Sequence, residues 1–315
     1  AVVTEDSVAQ VDLSSQALTA DSRMRSLMKA QFEKTLTALP TVGSVQLLID
    51  RNIQEIESIN TAQLPLSPGT PVMLSESSVY RINGSTAIPL AGGSTHVLRL
   101  NPESIAVSET DQLLALVNEE GLHLASLGST QSELIDARPS ILKPHFDADG
   151  FLWSVGSDSG INVYRDGELS TVVEQTQPNR VDFAVSPEGS RLVEIVENED
   201  GNQLRVRGIV RDSDGQPRAL TDPVNIRSAR PQTVSWLGEN EIALVERSVT
   251  DSTIVSIGSL LGETELGVTP PVTVEQLATV GNAIYVMSPL GEVWSRFGNS
   301  WRSLVSDAVG LNTAR

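Results

Sequence analysis

From Val181 to Val210 the chain reads VDFAVSPEGSRLVEIVENEDGNQLRVRGIV. Apolar residues alternate at Val181, Phe183 and Val185 and stop at the turn Ser186-Pro187-Glu188-Gly189. A second apolar run covers Leu192 to Val196. An acidic loop, Glu197 to Asn202, leads into a third run, Leu204 to Val210. Strand-length runs of β-branched residues separated by turn chemistry predict an antiparallel meander.

The same pattern recurs. Turn residues between the first and second strands of successive units fall at Gly69, Asp111, Gly150, Gly189, Asn240 and Asn282, at intervals of 42, 39, 39, 51 and 42 residues. One four-stranded propeller blade takes about 40–50 residues. The spacing therefore predicts a mainly β chain with a six-bladed β-propeller over 59–315. The turn-rich loop Arg211 to Pro217 absorbs the long fourth interval. Runs such as LLALV (Leu113 to Val117) and IYVM (Ile284 to Met287) are apolar on both faces. Such sheets must lean on neighbours, and a ring leaves none uncovered. The pattern does not define the first strand of the first blade or the way the ring closes.

Residues 1–50 read differently. Val2-Val3, the polar turn Thr4 to Ser7 and Val8 to Leu13 predict a hairpin. Asp21-Ser22 offers a helix cap, after which Met24, Leu27, Met28, Phe32, Leu36 and Leu39 share one helical face. Pro40 and Gly43 end that helix, and Val45 to Ile49 predicts a further strand. This β-β-α-β order predicts the C-terminal half of an α+β domain, joined to the propeller by a polar connection over 51–58. The chain opens at Ala1 in what reads as the middle of a hairpin, so we expect a fragment of a longer protein.

The chain has 315 residues, of which 39% are hydrophobic and only 4% aromatic. Aliphatic side chains must therefore fill the core. A formal charge of -18 repels phosphate backbones and argues against nucleic acid as a partner. There are no cysteines, which excludes disulfides and thiolate metal sites. No apolar run reaches membrane-spanning length.

Reactive chemistry is sparse. The three histidines, His96, His123 and His145, occur singly, without the spacing that brings two onto one metal. His145 falls in the predicted innermost strand of the third blade, as a channel-lining or packed residue. No nucleophile elbow, P-loop or dinucleotide fingerprint is present. The strings Asp147-Ala148-Asp149-Gly150 and Asp212-Ser213-Asp214-Gly215 could supply calcium ligands, but they also read as ordinary turns. We therefore expect no enzyme activity, no catalytic residue, no cofactor and no metal.

Charge placement says more. The loops between second and third strands emerge on one face of a propeller. Here they carry Glu76, Glu119, Glu120, Asp158, Glu197, Glu199, Asp200 and Asp251. These residues are the candidate partner-binding rim, an acidic docking face for a basic surface. The alternative is a solvated rim on a protein acidic throughout. A second alternative is a binding module for a cell-wall glycan or small ligand in the central channel, with Tyr164, Trp153, Trp236 and Trp294 available for stacking or for blade packing. A hydrolase using channel carboxylates has no motif behind it.

VAQVDLS (Val8 to Ser14), followed by AQFEKTLTALPTVGSVQLLID (Ala30 to Asp50), resembles the second half of a GerMN domain. Gln31, Thr35, Leu36, Leu39, Pro40, Val42 and Val45 occupy the positions that carry the likeness. The closing strand departs from the family's VDG-like turn, running instead through Ile49-Asp50-Arg51. A GerMN domain followed by a propeller resembles the LpqB-type lipoproteins of actinobacteria. That resemblance implies an extracytoplasmic protein, lipid-anchored to the cell membrane when intact, through a cysteine that this sequence does not contain. It also implies a partner, the extracytoplasmic domain of an MtrB-type sensor histidine kinase in a two-component system. It supplies no catalytic residues.

Overall fold

In the computed structural model, the described residues are 2–3, 6–20, 22–37, 39–57, 69–173, 179–248, 250, 252–260 and 264–315; the side chains at 2, 23 and 264–266 are set aside. The chain divides into two compact units, Ala1–Pro65 and Leu66–Arg315. Of the expected 51–58 connection, Asn52–Ile53 is instead a strand of the first unit's sheet, and 58 lies outside the described residues.

The first unit is a four-stranded sheet in the order Val2–Val3, Val8–Leu13, Ser44–Ile49, Asn52–Ile53. Its central pair is parallel and its outer pairs antiparallel. A parallel pair needs a crossover, here the helix α1 (Ser22–Leu36). Phe32 and Leu36 pack on Ala9, Val11, Val45 and Leu47. The sequence pattern places Met24, Leu27 and Leu39 on the same face, but the structure exposes them, at 52%, 40% and 49%. Two central strands offer too little apolar surface for more than the Phe32, Leu36 stripe. Leu39 has already left the helix, its amide donating to Leu36 O in a turn. The Asp21 cap lies outside the described residues. The departure at Asp50-Arg51 is a tight turn with φ of 47° and 67°, and the Arg51 amide is held by Asp12 Oδ1 at 3.0 Å.

Among its described residues the second unit contains six antiparallel sheets. The first joins Thr70–Ser75, Val79–Asn83 and Thr86–Pro89 to the last strand of the chain, Ala308–Ala314. The second runs Ser104–Ser108, Leu113–Asn118, Gly121–Ser126, Ser132–Asp136. The third runs His145–Phe146, Leu152–Val155, Ile161–Arg165, Glu168–Val173. The fourth runs Arg180–Val185, Arg191–Asn198, Gly201–Arg211, Pro217–Leu220, with Val224–Ile226 pairing beside it. The fifth runs Pro231–Trp236, Glu241–Arg247, Thr253–Ser259, Thr264–Val268. The sixth runs Gln276–Val280, Ala283–Met287, Val293–Phe297, Ser300–Val305. The long fourth interval is only partly loop: it holds the eleven-residue strand Gly201–Arg211 and the extra strand Val224–Ile226.

The fourth sheet shows how both faces of a sheet are buried. Leu192 packs toward the third sheet while Val193 and Ile195, on the other face, pack toward the fifth. Apolar clusters fill the space between first and second, second and third, third and fourth, fourth and fifth, and fifth and sixth sheets. A further cluster joins Ala278, Met287 and Val293 of the sixth to Met73, Ile82 and Leu311 of the first. At the remote end of that seam Gly69, with φ of 78°, allows the chain to pass Ala314; a Cβ there would lie 2.4 Å from Ala314 O.

A further element is absent from the sequence expectations. Helix α2 (Gly93–Leu100) connects the first sheet to the second and buries His96 and Val97. Gly92, at φ of 80°, starts it with its α-carbon against the Gly128 amide, where no side chain fits.

Candidate functional site

In sheets ordered this way the second-to-third-strand turns and the connectors between sheets share one edge. Glu76, Glu119, Glu120, Asp158, Glu199 and Asp200 all stand in such turns and are exposed. Glu197 is exposed too but sits inside the strand Arg191–Asn198, opposite Asn202. Asp251 lies outside the described residues. Glu197 accepts from Asn179 Nδ2 at 2.6 Å, and Glu120 lies 3.6 Å from His123 Nε2. The other five make no ion pair or side-chain hydrogen bond among the described residues. The connectors bring Arg138, Lys143, Arg227 and Arg230 to the same edge, so the carboxylates share it with cations.

The innermost strands carry a polar belt instead of an apolar one. Asn312 Nδ2 donates to Ile105 O at 2.6 Å and to Pro144 O at 3.0 Å, tying the first sheet to the second and to the approach of the third. Thr313 Oγ1 donates to Thr279 O of the sixth at 2.8 Å. The Ser235 and Thr279 hydroxyls meet at 2.9 Å between fifth and sixth. Asp182 of the fourth accepts from Thr233 Oγ1 and from the Val234 amide of the fifth. Lys143, ahead of the third sheet, donates to Leu277 O of the sixth at 3.1 Å. Buried polar groups are thus consumed in linking sheets.

His145 belongs to this region, edge-on to Phe183 with ring centroids 5.0 Å apart. Burial first, then the charges of Lys143 and Arg315, hold its imidazole well below 6.5. Burial also lowers His96 and His123, and Arg99 lowers both further. Each histidine takes up its proton less readily folded than unfolded, so stability falls as pH drops through about 6.5. Between pH 7 and 5 each histidine is expected to remove up to about 1 kcal/mol per pH unit. Urea unfolding at both pH values measures this. His145→Phe should reduce the slope, and equal stability at pH 5 and 7 in the parent chain would contradict it.

The aspartates of the two DxDG strings act as turn braces. Asp147 Oδ1 accepts from the amides of Asp149 and Phe151, and its Oδ2 accepts from Trp153 Nε1 and Arg211. Asp212 Oδ1 accepts from Asp214 and Gln216, and its Oδ2 from Arg218. No cluster of His, Cys, Asp and Glu suited to a metal occurs among the described residues.

Residues 77–310 match the family described as the lipoprotein LpqB β-propeller domain, which covers well over half of the chain. The chain belongs to that family. Residues 1–55 match the Germane family, described as sporulation and spore germination, so this LpqB-family chain carries a GerMN-type unit ahead of its propeller. Comparison with curated proteins gives no match. Among solved structures the chain is similar to a nidogen/laminin complex chain, with TM-score 0.56, 12% identity, and coverage of 77% of this chain and 97% of that one. It is similar to TolB from Acinetobacter baumannii, with TM-score 0.56, 16% identity, and coverage of 78% and 67%. It is also similar to Kuenenia stuttgartiensis hydrazine synthase, with TM-score 0.50, 14% identity, and coverage of 76% and 80%. At these identities the likeness concerns the fold alone.

Within the LpqB-family propeller the stacking candidates separate. Trp153 and Trp236 are buried between sheets, their indole N–H groups bound to Asp147 and Ala184 O. Trp294 packs between the fifth and sixth sheets. Tyr164 borders an open groove.

Sequence reasoning passed over the charged interior of the fourth sheet. Glu194, fully buried, receives Arg180 Nε at 2.9 Å and Arg205 at 2.8 Å, with Arg207 at 3.9 Å. Arg180 also reaches Ser159 O of the third sheet at 2.8 Å. A second lock joins Asp136 of the second sheet to Arg138 at 2.7 Å and to Ser154 of the third. Burial pushes the Asp136 carboxyl up, but the Arg138 and Ser154 hydrogen bonds outweigh it and leave it below the usual range. The signal was available: in a sheet apolar on both faces, a charge at a strand centre must find a partner.

Proposed function

We propose that this chain is a non-enzymatic protein-binding scaffold in which the six sheets form a closed six-bladed ring, sealed by Ala308–Ala314 in the first blade. The ring reading draws on the unbroken series of intersheet cores, including the sixth with the first. The scaffold would stand outside the cytoplasmic membrane, tethered by a lipid anchor beyond the sequence given. It would serve as an accessory of an MtrB-type two-component sensor histidine kinase by binding that kinase's extracytoplasmic domain. Among the described residues no helix is long and apolar enough to cross a membrane.

The observation that carries the docking reading is the set of exposed, unpaired carboxylates at equivalent turns of successive sheets. Such charges change association rate and its salt dependence more than they change final affinity. The triple variant Glu197→Lys, Glu199→Lys, Asp200→Lys is expected to slow association with the purified kinase domain about tenfold at low salt. Surface binding kinetics across a salt series measure it. Unchanged rates and an unchanged salt slope would retire this edge as the docking face. No binding by the parent chain at low salt would retire the kinase as partner.

A further inference from the structure

An open groove of about 470 Å³ lies between the outer parts of the second and third sheets. Gln131 and Glu133, at the start of the edge strand Ser132–Asp136, form one wall. Tyr164 and the hairpin turn Asp166-Gly167 form the other. Leu113 and Leu124 pack with Tyr164 beneath it. The Tyr164 hydroxyl is pushed above its ordinary value by burial, then by the charges of Glu133 and Asp166, so both carboxylates act on the polar end of the ring.

The lining narrows the ligand class. No lysine or arginine lines the groove, so an anion finds no counter-charge there. A cationic side chain is poorly served, because Glu133 and Asp166 are both exposed and water screens them. Asp166 already has Arg165 at 3.3 Å. What remains is an aromatic wall beside uncharged and acceptor groups that the fold leaves unused. Glu133 has no side-chain partner among the described residues. Ser129 and Ser132, in contrast, are engaged with Gln131 and Arg99.

We propose that this groove binds a neutral saccharide, with the Tyr164 ring against a sugar C–H face and Gln131 and Glu133 taking the hydroxyls. A cleft of this size falls in the range of small-ligand sites, about 300–1,000 Å³. The groove opens among third-to-fourth-strand turns, the edge opposite the carboxylate rim, so this inference does not rest on the docking reading.

Saturation-transfer NMR on the whole chain, with chitotriose, cellotriose and maltotriose in turn, tests it. At least one sugar should show transfer and bind with Kd about 1 mM. Gln131→Ala with Glu133→Gln should weaken that sugar about tenfold. Tyr164→Phe should keep the binding that Tyr164→Leu loses. Both residues of the double variant are exposed, so an unaltered melting temperature is expected and separates lost binding from lost fold. Absence of transfer from all three sugars, or equal affinity in the double variant, would overturn the proposal. So would Glu133-dependent binding of an arginine-bearing peptide that the sugars fail to match.

Discussion

Deleting Ala308–Arg315 is expected to abolish cooperative folding of the second unit. The segment is last in the chain but forms one edge of the first sheet, antiparallel to Thr70–Ser75 from Ala308↔Ser75 to Ala314↔Thr70. Its loss uncovers Val72, Met73 and Leu74, all buried, and removes Leu311 and Ala314 from two intersheet cores. It also removes Asn312 and Thr313, which tie the first sheet to the second and sixth, and the paired bonds Arg315 N to Val107 O and Glu109 N to Arg315 O. At about 1.5–3 kcal/mol for each large apolar side chain returned to water, Val72, Met73, Leu74 and Leu311 together cost about 6–12 kcal/mol, comparable to the 5–15 kcal/mol that holds a typical domain folded. Circular dichroism melting of the truncated chain should show a broad or absent transition. A sharp transition within a few degrees of the parent would refute this. Gly69→Ala loads the same joint from the other side, since its new Cβ meets Ala314 O.

Glu194→Ala is the second large effect. The carboxylate is fully buried, Arg180 is 2% exposed, and Arg205 and Arg207 are 15% and 17% exposed. Removing the one acid leaves three guanidinium groups beside one another. Breaking a buried ion pair from one side costs about 3–5 kcal/mol, because the remaining charge keeps its desolvation cost and loses its compensation. Burial, with Arg205 and Arg180 alongside, already lowers the Arg207 guanidinium even with Glu194 present. Urea unfolding of Glu194→Ala should show a loss in that range. The contrasting variant, Arg180→Met with Glu194→Leu, should recover much of it by removing two of the buried charges together. A loss below about 1 kcal/mol in Glu194→Ala would show that the cluster is not coupled to folding.

Legibility in the sequence followed range along the chain. The meander Val181 to Val210 is local, and its runs became the strands Arg180–Val185, Arg191–Asn198 and Gly201–Arg211. The strand that completes the first sheet pairs Thr70 with Ala314. No periodicity carries that information, because alternation gives a strand's faces but not its partner. Helix α2 escaped notice because eight residues make only two turns and it buries just Gly93, His96 and Val97. On α1 the apolar face was broader in sequence than the sheet beneath it, so Met24 and Leu27 were left outside. The candidate rim could be placed by strand counting. The Arg residues on the same edge arrive in the connectors between sheets, which the repeat alignment did not follow. The groove beside Tyr164 is built by two sheets whose contributing residues look like ordinary hairpin ends in isolation.

The pairing of the last strand with the first sheet offers the most direct measurement. The chain has no cysteine, so a pair introduced by Thr70→Cys and Ala314→Cys has no competitor. These residues are Cα partners across the terminal strand pair, within the reach of a disulfide. If the last strand seals the first sheet, mild oxidation should close the bond almost completely in the native chain. Closure should speed migration on a non-reducing gel and raise the melting temperature, since so long a loop is worth about 5–6 kcal/mol in the chain-entropy account. Two free thiols after oxidation, in a chain that still melts cooperatively, would show that the ends do not meet and that the sheets are stacked without closing.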